Sequence, residues 1–310
     1  MMSDAIARVL GRLLYIIYKT IAFQNYGIAL ILFTLIVKLI LLPLTIKQIR
    51  SSQKISEMQP EIDRIQKRYK NDKEKLNQEL AKLYQEKGVN PLSGCLPLFI
   101  QFPIIVALYY TIRKPLTYML GWTKEFIGNI IIKIMEIQPQ FFQGSQYSFI
   151  NQFESVKSDP VAVANLFERN PYFEINVVDA INTIPELMGE GIEKISLNFL
   201  GIFNLGVKPT YDFNLIFQNP GLYLPALFMV LLAVATTFLS TKLSMKQMNQ
   251  NSNSQVAQTN NTLLYFGPIM TLIIGFQAPV GLALYWTVSN LFQMAQQYFL
   301  DKYVYKKKEE

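Results

Sequence analysis

YGIALILFTLIVKLILLPLTI, residues 26–46, decides the fold. From Ile28 to Ile46 fourteen positions are Leu, Ile, Val or Phe, and each contributes roughly 0.3–0.6 kcal/mol to bilayer insertion. Lys38 stands in the middle of the run, where a charge costs about 2.5–3.5 kcal/mol. The span still inserts, but with an avoidable penalty. Ionisable side chains at that depth face a bundle interior or a wet cavity and mark function. Lys38 is the one charge in any of the chain's apolar spans.

Working outward, the 310 residues are 51% hydrophobic and 16% charged, against about 25% charged in a soluble domain. Asn214–Thr241 and Gln247–Leu300 contain no Asp, Glu, Lys or Arg. Such runs read as membrane spans. Histidine is absent, which removes His-based acid–base catalysis, His metal ligation and Ser-His triads. Cys95 is the single cysteine, so no intramolecular disulfide forms; within an apolar span it reads as a small packed residue. No cofactor is expected. The net charge of +7 reads as cytoplasmic loops facing anionic lipid rather than as a DNA-binding surface.

Five spans follow: Tyr26–Ile46, Leu92–Ile112 with Pro97 and Pro103, Leu222–Ser240, Thr262–Gln277 and Gly281–Leu300. The break at Gln277-Ala278-Pro279-Val280-Gly281 makes the last two a tight hairpin. The fourth span, at 1.5 Å per residue, reaches only about 24 Å of a core about 30 Å thick, an invitation to local thinning. Residues 49–88 hold ten basic and seven acidic side chains, whereas Lys114–Asp212 holds seven and eleven. Lys242 and Lys246 stand in a loop without acids, and the tail carries Lys302, Lys306, Lys307 and Lys308. The positive-inside rule then places the N-terminus outside and the C-terminus in the cytoplasm.

The chain divides accordingly into an outer amphipathic helix (1–24), a first transmembrane helix (25–48), a cytoplasmic helical hairpin (49–88) and a second transmembrane helix (89–113). An extracellular segment (114–220), a third transmembrane helix (221–241), a cytoplasmic loop (242–261), the fourth and fifth transmembrane helices (262–300) and a basic tail (301–310) complete it. The expected fold is an all-α integral membrane protein. In residues 4–21, Arg8, Arg12 and Lys19 share one face, with Leu10, Leu13, Leu14, Ile17 and Ile21 mostly opposite, as in a helix lying in the interface. In the hairpin, Ile55, Met58, Ile62 and Ile65 recur at helical spacing, as do Leu76, Leu80 and Leu83; Asn71 or Asp72 is the expected N-cap and Gly88 the stop. Val161–Glu168 and Val177–Leu187 are short helical patterns within an outer segment that reads as a soluble cap.

Polar stripes interrupt the spans. Thr34, Lys38 and Thr45 share a face of the first. Trp286, Ser289, Asn290, Gln293 and Gln297 line the fifth, Ser93 and Gln101 the second, and Thr237, Ser240 and Thr241 the third. Singly each reads as packing glue. Together, around a buried cation with no Asp or Glu in any span, they outline a hydrophilic intramembrane cavity that attracts anionic groups. A unit charge about 4 Å away would gain roughly 4 kcal/mol at an effective dielectric of about 20.

These residues carry a family pattern. Thr34-Leu35-Ile36-Val37-Lys38 followed by Leu42-Pro43-Leu44-Thr45 resembles the first core span of the YidC/Oxa/Alb membrane protein insertases. Asn90-Pro91-Leu92-Ser93-Gly94-Cys95-Leu96-Pro97 with Gln101-Phe102-Pro103 resembles the second, and Gly281-Leu282-Ala283-Leu284-Tyr285-Trp286-Thr287-Val288-Ser289-Asn290 the fifth. The resemblance implies a five-helix core around a positively charged groove that helps newly made membrane proteins insert and fold, without catalysis. It implies Lys38, Thr34, Gln101, Thr241, Tyr285 and Trp286 as groove residues. It further implies nascent membrane proteins, the Sec translocon and the ribosome as partners, and a bacterial plasma membrane as location. Lys306-Lys307-Lys308 fits ribosomal RNA phosphate or anionic lipid. The family's groove charge is usually Arg, a planar fork, where this chain has Lys38, a point charge. Two other classes use the same residues: a small anion transporter or channel selecting through Lys38, and an intramembrane protease pairing Lys38 with Ser93 or Ser289.

Overall fold

The computed structural model describes residues 2–90, 96–189, 192–248, 256–300 and 302. They are mostly helical, so the all-α expectation holds at that coarser level. Two two-residue strands depart from it. Pro91–Cys95 of the second-span motif, Ser93 and Cys95 included, lie outside the described residues, as do 249–255 and Lys306–Lys308.

Two helices are long and apolar enough to cross a bilayer by length and composition. They run over Tyr26–Ile55 and Pro220–Met245, and only 28% of each apolar window is buried. The core helix of a soluble protein buries most of its apolar surface; these two leave theirs open. A shorter apolar stretch covers Leu264–Gly275.

The chain separates into two compact units. The first comprises Met1–Phe33, Pro103–Met229 and Gly275–Leu284. Its α1 (Met2–Thr20) carries Asp4 in the first turn and Lys19 in the last, the order the helix dipole favours. Helix α2 (Tyr26–Glu57) starts in this unit, and α5 (Leu96–Arg113) ends in it. A π-helical turn, Leu116–Leu120, follows and closes on left-handed Gly121. Arg12 Nη1 donates to the Met119 and Leu120 carbonyls that this turn leaves free, each at 3.3 Å. Tyr118 donates to Asp4 at 2.9 Å, and a Cβ on Gly11 would overlap the Tyr118 carbonyl. The basic face expected to lie free in the interface is thus partly engaged: Arg12 holds the turn, and Lys19 pairs with Glu193 at 2.8 Å.

The outer segment has its own core. Helix α6 (Lys124–Ile137) packs on α8 (Pro160–Phe167), with the short α7 (Phe153–Val156) between them in sequence. At Gly128 the Pro160 carbonyl comes so close that any Cβ would overlap it. Phe142, Tyr147, Phe149 and Phe167 form one aromatic cluster. Helix α9 (Phe173–Thr183) buries Glu174. A small hairpin, β1 (Asn198–Phe199) and β2 (Phe203–Asn204), and α10 (Phe213–Gln218) lead to α11 (Pro220–Met248). The expected patterns Val161–Glu168 and Val177–Leu187 correspond to α8 and, in part, α9, whereas α6 was not read from sequence.

The second unit comprises Thr34–Phe102, Val230–Ile274 and Tyr285–Glu310. In it α2 continues well past Ile46, because Lys47 to Glu57 contains good helix formers and no breaker. Helices α3 (Gln59–Arg68) and α4 (Lys73–Glu86) pair through Met58, Ile62, Leu83 and Val89, with Ile55, Ile65 and Leu80 packed alongside. Asp72 caps α4 by accepting from the Lys75 amide at 3.0 Å, and Gly88 stops it with φ 61°. Helix α12 (Val256–Gly275) begins earlier than the sequence reading has it, so the helix itself reaches about 30 Å and only its apolar part is short. Helix α13 (Val280–Leu300) ends the described helices.

Candidate functional site

All six candidate residues, Thr34, Lys38, Gln101, Thr241, Tyr285 and Trp286, belong to the second unit. Lys38 lies twelve residues into α2, about 18 Å along its axis from Tyr26. A hydrocarbon core is about 30 Å thick, so this distance is a little over half of it. Thr34, one turn earlier on the same face, is fully buried. Leu39 and Ile40, on neighbouring faces, are exposed. Lys38 is half-buried, and no carboxylate forms an ion pair with it among the described residues. Thr45, third in the stripe, donates back to the Leu41 carbonyl at 3.0 Å and so satisfies itself within α2.

Gln101 and Tyr285 meet. The Gln101 amide donates to the Tyr285 hydroxyl, tying α5 to α13. Tyr285 and Trp286 are buried, Gln101 half-buried. Thr241 is also half-buried; it donates to the Thr237 carbonyl at 2.8 Å and faces Gly267 of α12. No hydrogen bond joins Thr241 to the Gln101–Tyr285 pair among the described residues.

Part of the polar stripe of the fifth span is engaged in helix packing. Asn290 donates to Thr237 at 2.9 Å and to Thr236 at 3.3 Å, and Ser244 donates to Gln297 at 3.4 Å. Thr237 in turn meets Thr271 at 3.4 Å. These side chains spend their hydrogen bonds joining α11 to α12 and α13, the packing role polar groups take between helices in lipid. Sequence alone does not separate them from groove residues, because a helix face shows its periodicity but not its neighbour. Two buried amides carry no sequence signal either: Gln48 Nε2 and Gln296 Nε2 have no partner among the described residues.

Ser289 is buried and makes no hydrogen bond with Lys38 among the described residues, and Ser93 lies outside them. The Lys38–Ser289 pair therefore has no geometric support. No group of three His, Cys, Asp or Glu side chains able to hold a metal occurs among the described residues. Apolar helices left open, one cation inside them and hydrogen-bonded polar side chains between them define a helical membrane protein.

The sequence pattern of one family, described as 60Kd inner membrane protein, matches residues 16–308. The chain belongs to this family of inner membrane proteins. A Clostridium perfringens protein named Membrane protein insertase YidC is 55% identical over 106 residues, 34% of this chain and 44% of that one. Its Oceanobacillus iheyensis namesake is 30% identical over 290 residues, 92% of this chain and 78% of that one. A Treponema denticola namesake is 28% identical over 301 residues, 95% of this chain but 37% of that one. The chain thus spans less than half the length of two of these three relatives.

Proposed function

We propose that this protein is a membrane protein insertase, working without cofactor or covalent chemistry. One observation carries the reading. Lys38 sits at mid-span in α2, half-buried and without a carboxylate partner among the described residues, in the same unit as the Gln101–Tyr285 pair. A cation so placed lowers the barrier for a hydrophilic or acidic client segment entering the membrane. Thr34, Gln101, Thr241, Tyr285 and Trp286 would line its route. Relatives that carry the name insertase support the reading.

The proposed topology has five spans, α2, α5, α11, α12 and α13, with the N-terminus outside and the C-terminus in the cytoplasm. Charge asymmetry supports it: residues 49–88 hold ten basic and seven acidic side chains, whereas Lys114–Asp212 holds seven and eleven. Newly made membrane proteins are the proposed clients, with the ribosome, the Sec translocon and anionic lipid as partners at the hairpin and tail.

The test is insertion of a short-tailed, single-span client into proteoliposomes containing the parent, Lys38→Ala or Lys38→Arg at matched amounts. The expected outcome is loss with Ala and retention with Arg. Full activity in Lys38→Ala would remove the charge from the mechanism.

A further inference from the structure

The segment 198–218 carries apolar side chains where a solvated loop would carry polar ones. Leu200 and Ile202 at the hairpin tip are exposed, and so are Tyr211 (81%), Phe213 (73%), Leu215 and Phe217 (79%). Large exposed apolar groups in one short segment mark an interaction surface. The backbone is arranged for it. Asn198 pairs with Asn204 and Phe199 with Phe203, and Leu200 holds a left-handed conformation (φ 56°) uncommon for its residue type. In α10 the Asp212 carboxylate caps the Asn214 amide at 2.9 Å, and the Asn219 amide returns to the Leu215 carbonyl at 3.0 Å. Main-chain groups satisfied in this way can leave water cheaply.

The other side of the segment fixes where it lies. Phe199 covers Gly27 at the start of α2, where any Cβ would overlap its ring. Phe203 stacks on Phe228 of α11 at 6.4 Å, and Tyr211 meets Phe276, just past the end of α12, at 6.1 Å. The Val280 and Gly281 amides that open α13 donate to the Val207 and Leu205 carbonyls at 2.9 and 2.8 Å. The segment therefore rests on the ends of four apolar helices, at the level where a membrane meets water. Its composition suits that level: aromatic rings with a nearby cation, Lys208, which lies 6.0 Å over the Tyr172 ring.

We propose that residues 198–218 form an interfacial anchor whose hairpin tip and α10 insert Leu200, Ile202, Phe213 and Phe217 among phospholipid chains. Continuity with an open apolar helix favours lipid over a protein partner. The segment joins α11 directly, and Phe203 stacks on Phe228, itself an exposed side chain of that helix's open apolar surface. The proposal rests on the reading that α11 spans a bilayer.

The test uses nitroxide labels on the full chain with Cys95→Ala, reconstituted in phosphatidylcholine–phosphatidylglycerol vesicles. Labels go singly at Leu200→Cys, Phe213→Cys and Phe217→Cys. Leu231→Cys on α11 and Ser158→Cys, exposed in the outer segment, serve as references. All five positions except the tip lie on helices or a turn whose exposed side chains can be replaced without disturbing a core. The expected result is a several-fold excess of oxygen over nickel-chelate collisions at the three test positions and at residue 231, with the reverse at residue 158. Water-like collisions at the three test positions, with residue 231 in lipid, would overturn the anchor and leave the surface to a protein partner. Water-like collisions at residue 231 as well would overturn the spanning reading together with the anchor.

Discussion

Glu174 predicts an inverted pH profile for the stability of the first unit. Its side chain is buried in α9, where it accepts from the Thr117 amide at 3.0 Å and from Thr117 Oγ1 at 2.6 Å. Desolvation raises its pKa from 4.5 to about 7; the Thr117 hydrogen bonds and the charge of Lys114 offset only part of that. The unfolded chain gives up this proton near pH 4.5 and the folded one near pH 7. Between those values the native state holds the extra proton, so stability falls as pH rises. Each pH unit in the window removes about 1.4 kcal/mol, so the full crossing removes about 3 kcal/mol. The contribution is fully present below the lower value and lost above the upper one.

Glu174→Gln is neutral at every pH and removes this slope. It also removes one acceptor oxygen facing Thr117, a constant loss of about 1 kcal/mol. The parent should therefore be the more stable protein at pH 5 and the variant at pH 8, with the two curves crossing. Asp179, raised to about 6 by desolvation, adds a slope of the same sign to both proteins and cancels in the difference. Thermal unfolding in detergent, followed by the fluorescence of Trp122 in a Trp286→Phe background, reads it, since that ring lies edge-on to Phe126 at 4.7 Å within this unit. Parallel curves, offset but never crossing, would refute the reasoning, because Glu174 would then titrate alike in both states.

Gly128→Ala places a methyl group against the Pro160 carbonyl. The α6–α8 contact should lose about 1–3 kcal/mol, measured as a lower melting temperature of the outer segment. Asp72→Ala removes the cap on the Lys75 amide and should lower the stability of α4 by about 1 kcal/mol, seen as faster hydrogen exchange over residues 73–77. Gln101→Ala and Tyr285→Phe each break the bond between α5 and α13. The double variant should lose less stability than the sum of the singles, with a coupling of about 1 kcal/mol; strict additivity would mean that the pair does not form in the bilayer.

Much of the architecture was legible because membrane burial writes long uncharged runs and helical hairpins write periodic ones. Asp72 as a cap and Ile55, Met58, Ile62, Ile65, Leu80 and Leu83 as the hairpin seam follow from chemistry local to the chain, although Leu76, expected with them, stands outside that cluster. Helix α6 carries a periodic signal that the sequence reading passed over: Ile127, Ile130, Ile131 and Ile134 recur at helical spacing and are buried, with Asn129, Lys133 and Glu136 exposed on the other face. Its position depends on Gly128 admitting a carbonyl from a segment about thirty residues away. Thr123, which accepts from the Phe126 amide at 3.2 Å, was the one local signal of its start. The two short strands carry no such signal: each is two residues long, and their pairing is set by Phe199 and Phe203 reaching α2 and α11.

The candidate site illustrates a sharper limit. Sequence identifies polar residues in apolar helices, but their role depends on whether a neighbour satisfies them. Asn290, Thr236, Thr237 and Thr271 satisfy one another or their own helices, so removing any one leaves a packing defect rather than a lost binding group. Thr45 and Thr241 likewise bond within their own helices. Lys38 differs in kind. A cation cannot be satisfied by a backbone carbonyl one turn back as a threonine hydroxyl can, and the spans contain no carboxylate to neutralise it. If it served packing alone, Leu or Met at that position would insert better and pack as well, by roughly 3 kcal/mol on the insertion scale. Replacing Lys38 by Met should therefore raise the stability of the reconstituted protein while lowering client insertion. A variant that gains stability and keeps full activity would return Lys38 to the class of its threonine neighbours.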